Sequence, residues 1–182
     1  RSAEKRHLLA QKAARESAVL LKNENHILPL RGKEKVAVIG GFVFIPRYQG
    51  AGSSLVNTEC VDTVIELLPK YPLEVTASCR GYRRDGAEDR TLTEQAVAAA
   101  KAADVVLYFA GLNESSESEG IDRTHLRIPE NQIRLLEELH RVNPHIVCIL
   151  SAGSVIEMTW ESECEAILWT GLGGEAGAGA VL

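Results

Sequence analysis

Asp104-Val-Val-Leu-Tyr-Phe-Ala110 runs into Gly111-Leu-Asn-Glu-Ser-Ser-Glu-Ser-Glu-Gly-Ile-Asp-Arg-Thr-His-Leu-Arg-Ile-Pro129 and then into Glu130-Asn-Gln-Ile-Arg-Leu-Leu-Glu-Glu-Leu-His140. The first piece is a short continuous apolar run, the pattern of a strand buried on both faces of a parallel sheet. The last piece reads as a helix. Between them lies a loop at the C-terminal end of a strand, the edge where open α/β sheets bind ligands. It carries Glu114, Glu117 and Glu119, interrupted by Ser115, Ser116, Ser118 and Gly120, which oppose a helix. From these residues alone two readings stand: a ligand or active-site loop, or a solvated acidic surface loop.

The same alternation extends in both directions. Upstream, a helix is expected with an apolar face of Leu8, Leu9, Ala13, Ala14, Ser17, Leu20 and Leu21, stopped by Asn23-Glu-Asn25. Ile27-Leu-Pro-Leu30 is too short and proline-broken for a central strand. Lys35-Val-Ala-Val-Ile-Gly-Gly41 is a clear strand, ended by Gly40 and Gly41 in a loop that carries Arg47, Tyr48, Gln49 and Gly50-Ala-Gly-Ser-Ser54. A helix from Thr58 to Leu68 and a strand from Leu73 to Ala77 follow. The stretch from Arg80 to Arg90 alternates arginines with acids and reads as a solvated loop. Thr91 or Thr93 is placed to cap an alanine-rich helix from Glu94 to Ala103. Downstream come strands at His145–Leu150 and Glu165–Trp169, an element beginning at Val155-Ile-Glu-Met158 and Trp160, and a helix from Glu175 to Leu182. The pattern predicts an α/β fold: a single doubly wound sandwich with a mostly parallel sheet and helices on both faces. It spans residues 1–182 without repeat or linker, and the last helix reads as cut short at the C-terminal end.

Composition removes several function classes. The net charge of −5, with both signs interspersed and no basic stripe, argues against a nucleic-acid partner. No apolar stretch is long enough to span a membrane, so no membrane partner is expected. Gly50-Ala-Gly-Ser-Ser54 lacks both the Rossmann spacing and the Gly-Lys-Ser/Thr of a phosphate loop. Cys60, Cys79, Cys148 and Cys164 match no zinc spacing, so neither metal nor cofactor is expected. Cys148, inside an apolar strand, reads as an inert buried thiol. Cysteine usage leans weakly toward a reducing, cytoplasmic setting, with a secreted or periplasmic parent as the alternative.

Six pieces in order resemble the second, α/β-sandwich domain of family 3 glycoside hydrolases, the β-glucosidase family. They are Ala14-Arg-Glu-Ser-Ala-Val-Leu-Leu-Lys-Asn-Glu24 with Leu28-Pro-Leu30, Val36-Ala-Val-Ile-Gly40, Gly50-Ala-Gly-Ser-Ser54, Ala103-Asp-Val-Val106, Glu117-Ser-Glu-Gly-Ile-Asp-Arg123 with Leu126 and Pro129, and Gly153-Ser-Val-Ile-Glu-Met158 with Trp160. A later segment, Gly171-Leu-Gly-Gly-Glu-Ala-Gly177, lacks the tyrosine and proline that the family carries there.

The resemblance implies a domain of a retaining β-glycosidase, a β-glucosidase first and a β-xylosidase or other β-glycosidase second. A TIM-like barrel, absent from this chain, would be its partner in the same protein and would supply an aspartate nucleophile. This domain would supply the general acid/base, which the Glu-Gly…Asp-Arg match puts on Glu119, with Glu117 as the alternative. A β-glucoside or oligosaccharide would be the substrate. Asp122 and Arg123 would support the loop as an ion pair, or Arg123 would orient a carboxylate through its fork. Ser53 and Ser54 could donate to a sugar or to the acidic loop. His125 shows no partner, and Met158, Trp160 and Trp169 read as core or interface packing. A catalytically silent carbohydrate-binding or scaffolding domain is the reading from another class, and exposure of a docking face would favour self-association of the isolated chain.

Overall fold

A computed structural model of the chain describes residues 3–182. Its frame is a six-stranded sheet in the order β1-β6-β5-β4-β2-β3. The strands are β1 (Val19–Asn23), β2 (Lys35–Ile39), β3 (Glu74–Cys79), β4 (Val105–Gly111), β5 (Ile146–Ser151) and β6 (Ala166–Trp169). All neighbours run parallel except β1, which pairs antiparallel with β6. β4 lies at the centre and every one of its residues is buried, which is why its sequence is apolar without alternation.

Helices cover both faces. In register, Tyr108 of β4 stands beside Ile39 of β2 and Cys148 of β5. That face carries α3 (Arg90–Lys101) and α4 (Glu130–Val142), and α4 seals Leu135, Leu136 and Leu139 against the sheet. On the opposite face, Val181 of α5 (Gly177–Val181) lines a cavity with Phe109 and Ile149. α2 (Val64–Leu67) and α1 (Ala3–Ser17) pack against α5. No described helix is long and apolar enough to cross a membrane.

Four sequence expectations are corrected. The first helix ends at Ser17, and Leu20 and Leu21 belong to β1, because the open edge of β6 offers that segment a ladder of backbone partners. α1 buries none of its residues, and Leu8 and Leu9 are each 56% exposed. The helix expected from Thr58 is one turn long. The Thr63 side chain caps it by accepting from the Glu66 N–H, and Pro69 lies in the 3₁₀ turn, Leu68–Lys70, that ends it. α3 starts before Thr91 and Thr93, because Asp89 is the cap and accepts from the Leu92 N–H. Val155–Met158 forms no regular element, and Trp160 is buried ahead of a single 3₁₀ turn, Glu161–Glu163. The Cys148 thiol is fully buried, and its contact with Cys164 together with burial holds its pKa well above the ordinary range. That is the environment of an inert thiol.

The loop between β4 and α4 is framed by one side chain. Gln132 is fully buried; its Oε1 accepts from the Gly111 N–H at 2.8 Å, and its Nε2 donates to the Gly111 carbonyl at 3.0 Å. Its own carbonyl accepts from the Tyr108 hydroxyl at 2.8 Å. Gly111 has φ +147, and a Cβ there would overlap the Ser151 carbonyl, so only glycine lets the chain end β4 this close to β5. Gln132→Leu, similar in volume, should strand both backbone groups of Gly111 and cost about 2–5 kcal/mol. A fall in the urea midpoint at unchanged m reads it; a loss below about 1 kcal/mol would show that water substitutes for the amide.

Candidate active site

Three loops leave the C-terminal ends of β2, β4 and β5 and meet over the sheet edge. β2 and β4 are neighbours from which the chain winds outward in opposite directions, so their loops flank the topological switch point. Residues of all three loops line one cleft, among them Arg47, Ser53, Glu117, Glu119, Arg123 and Ser154. The acidic loop starts from a knot at Asn113, whose Oδ1 accepts from the Ser115 hydroxyl and from both the N–H and the hydroxyl of Ser116. Asn113 also donates to the Arg84 carbonyl, while Arg84 pairs with Glu114 at 2.9 Å and lies over the Phe42 ring. The arginine-rich loop after β3 is therefore not wholly solvated: Arg84 braces the base of the acidic loop.

Glu117 is a tie between loops. Its Oε2 accepts from the Gly153 N–H at 2.9 Å, and its Oε1 accepts from the Ser154 hydroxyl at 2.5 Å. Arg47 is buried behind it. The Arg47 Nη2 donates to the Glu117 carbonyl at 2.9 Å and lies 3.8 Å from its carboxylate, while Nε donates to the Gln49 carbonyl at 3.0 Å. One guanidinium thus fastens the β2 loop to the β4 loop, and one carboxylate fastens the β4 loop to the β5 loop.

Glu119 is held differently. Its N–H donates to the Ala51 carbonyl at 3.1 Å, so its backbone is fixed. Its exposed carboxylate accepts from the Ser53 hydroxyl through Oε2, and Oε1 has no hydrogen-bond partner among the described residues. Gly52, at φ +90, passes so close that a Cβ would lie 2.9 Å from the Glu119 Cβ. Ser54 points back to the Ala51 carbonyl at 3.4 Å and shapes the turn.

The remaining expected residues divide. Arg123 does not pair with Asp122. Its Nη1 donates to the Ser154 hydroxyl at 3.0 Å and to the Val155 carbonyl at 2.7 Å, so it braces the serine that holds Glu117. Asp122 is exposed and has no ion-pair partner among the described residues. His125 caps its own turn, accepting from the Arg127 N–H at 3.2 Å. Trp160 is core, and neither tryptophan lines the cleft. Sequence reasoning missed Arg47, Gly153 and Ser154 as partners of the acidic loop. An arginine amid apolar and aromatic residues, Phe42 to Tyr48, was the available signal, since a buried guanidinium must be paired.

The sequence matches the Glycosyl hydrolase family 3 C-terminal domain over residues 18–182. This chain belongs to that family. The thermostable beta-glucosidase B of Acetivibrio thermocellus is 44% identical over 179 residues, covering 96% of this chain and 24% of the relative. The exo-alpha-(1->6)-L-arabinopyranosidase of Bifidobacterium breve is 40% identical over 184 residues, covering 95% and 24%. The crystal structure of a family 3 beta-glucosidase from Bifidobacterium adolescentis superposes with a TM-score of 0.94 at 42% identity, covering 100% of this chain and 27% of that one. This family 3 domain therefore spans about a quarter of the length of the curated relatives it matches. The family match agrees with the motif resemblance and with the mostly parallel sheet.

In this family 3 domain, Arg47 should hold the acidic loop by charge-assisted hydrogen bonds. Arg47→Met should speed amide exchange across residues 115–121 by tenfold or more, equivalent to about 1.4 kcal/mol or more of local opening. Unchanged exchange there would show that Gly153 and Ser154 suffice without it.

Proposed function

We propose that this chain is the second domain of a retaining β-glycosidase, a β-glucosidase first, and that Glu119 is its general acid/base. The observation that carries the assignment within the loop is the contrast between the two carboxylates. Both oxygens of Glu117 are engaged inside the protein, whereas Glu119 has a fixed backbone and a free oxygen. A proton donor needs an oxygen free to meet the leaving group. Glu117 instead serves as the tie that gives Glu119 a firm base.

A retaining enzyme needs two carboxyl groups about 5–5.5 Å apart, one attacking the anomeric carbon and one protonating the leaving oxygen. We assign the nucleophile to a barrel domain elsewhere in the parent protein. The loops at this edge support docking of such a domain, because Leu55, Val56, Ile121, Leu126 and Val155 are exposed on them, Val155 at 71%. The buried Nη1 of Arg47 and Nη2 of Arg123 find no hydrogen-bond partner among the described residues. Both residues line the cleft, and a modest side-chain shift would let a sugar hydroxyl or a residue of the docking domain satisfy these nitrogens. The names of the two relatives support β-glucosidase and keep arabinopyranosidase as a second specificity.

In the parent protein, Glu119→Ala should lower kcat/KM by about 10²–10⁴ for alkyl or sugar leaving groups. Much less should be lost in the glycosylation step with dinitrophenolate, which departs without a proton. Deglycosylation should slow as well, so a burst of dinitrophenol appears, and azide should relieve it as a nucleophile that needs no base. The same signature in Glu117→Ala, and its absence in Glu119→Ala, would move the role to Glu117. The 182-residue chain alone should show no turnover of an aryl β-glucoside; activity that scales with this chain through purification would place a complete catalytic pair within it.

A further inference from the structure

On the side of the sheet covered by α5, His7, Cys60 and Glu175 bring an imidazole, a thiol and a carboxylate within 4.8 Å of one another. They come from α1, from the irregular segment before α2, and from the segment leading into α5. His7 Nδ1 stands 4.0 Å from the Cys60 sulfur and 3.6 Å from Glu175 Oε1. The other ring nitrogen, Nε2, lies 2.8 Å from Asp62 Oδ2. These residues border a cleft of about 500 Å³ that shares no lining residue with the acidic-loop cleft. We propose that His7, Cys60 and Glu175 bind one zinc-class divalent ion, with Asp62 as the carboxylate that orients the histidine.

The arrangement matches the chemistry of such an ion. Zinc takes nitrogen, sulfur and oxygen together, at about 2.0–2.3 Å, in a tetrahedron whose ligands lie about 3.3–3.7 Å apart. The nitrogen–oxygen separation already fits. The sulfur must close by a few tenths of an ångström on the nitrogen and move in on the carboxylate from within 4.8 Å, and Cys60 is exposed on a segment without regular structure. Asp62 accepting from Nε2–H fixes the tautomer that leaves the Nδ1 lone pair facing Cys60 and Glu175, the carboxylate–histidine arrangement of metal sites. The backbone is already drawn together, since the Asp62 N–H donates to the Glu175 carbonyl at 2.8 Å. On binding, the thiol proton leaves to solvent as sulfur coordinates, and water takes the fourth position. Residues 7, 60 and 175 are too far apart along the chain to match any metal-ligand spacing.

The ion would clasp α1 to the body. α1 buries no residue, and His7 to Asp62 and Gln11 Nε2 to the Gly179 carbonyl at 2.6 Å are among the polar contacts that fasten it. The test is a titration of the chelator-treated chain with Co²⁺ and then Zn²⁺. One equivalent of Co²⁺ should produce a thiolate-to-cobalt charge-transfer band that Zn²⁺ abolishes, and Zn²⁺ should slow amide exchange across residues 3–17. Cys60→Ser and His7→Gln should lose the band, and Asp62→Asn should weaken binding by about 10–100-fold. Urea midpoints measured in chelator should match the wild type, which separates lost ligands from lost folding. Absence of saturable binding, or a band that survives Cys60→Ser and so reports another cysteine, would overturn the site. Equal affinity in Asp62→Asn would overturn the orienting role.

Discussion

The pairing of the Gln132 amide with both backbone groups of Gly111 is the constraint on which the acidic loop depends. β4 ends at Gly111, beside β5, and the next backbone donor and acceptor would otherwise be stranded in the core. A side-chain amide carries the same donor and acceptor as a peptide unit, so Gln132 acts as a short piece of extra strand. Because it sits in the first turn of α4, it also fixes where the helix begins relative to where the strand ends. The loop is thus pinned at both feet by one residue, and Tyr108 holds that residue from below. No other part of the loop could hold a reproducible position if its feet moved.

Leu112 and Ile128 anchor the two ends of the loop in the core, and between them it is fastened mainly by polar contacts. Asn113 and Arg84 secure its first turn, Arg47 and Glu117 its middle, and Arg123 with Ser154 its far side. Hydrogen bonds to charged groups are worth about 1.5–3 kcal/mol each and are directional. They place the backbone where hydrophobic contacts would only exclude water. The two glutamates are held differently, Glu117 through both carboxylate oxygens and Glu119 through one. Under the proposed assignment, a carboxylate that bridges the β4 and β5 loops cannot also swing toward a substrate, and one that must reach a substrate cannot be the bridge. Ser118 sets the pair two apart where the loop turns, so neighbouring glutamates face different surroundings.

Much of this was legible in the sequence, for identifiable reasons. The strands read directly because a parallel strand buried on both faces leaves an unbroken apolar run, as in Lys35–Ile39 and Val105–Ala110. The edge position of the acidic loop followed from alternation of strand and helix. β1 did not read, because Val19-Leu-Leu21 continues the apolar stripe of α1 and only the waiting edge of β6 makes it a strand. The short α2 and the Asp89 cap were boundary matters, decided by Pro69 and by one side-chain acceptor among several candidates. Within the site, Glu117 and Glu119 were visible as a pair but not as a latch and a free carboxylate. That difference comes from Arg47, Gly153 and Ser154, which arrive from loops 70 and about 36 residues away in the chain.

The ties also bear on what a docking domain would meet. Held by Arg47, Gly153 and Ser154, the loop is shaped before any partner arrives, so docking would not have to order it. Among the described residues, Arg47 Nη1, Arg123 Nη2 and one oxygen of Glu119 have no hydrogen-bond partner, and all three residues line the same cleft as the exposed Ile121. Apolar residues on the rim favour contact with another protein surface, whereas unmet donors and a carboxylate favour a polar ligand between the two surfaces. A loop serving only solubility would need neither a buried arginine nor an exposed Val155. The proposed role at a domain boundary would use both, because loops completing a sugar site there must exclude water at the rim and retain polar groups at the centre.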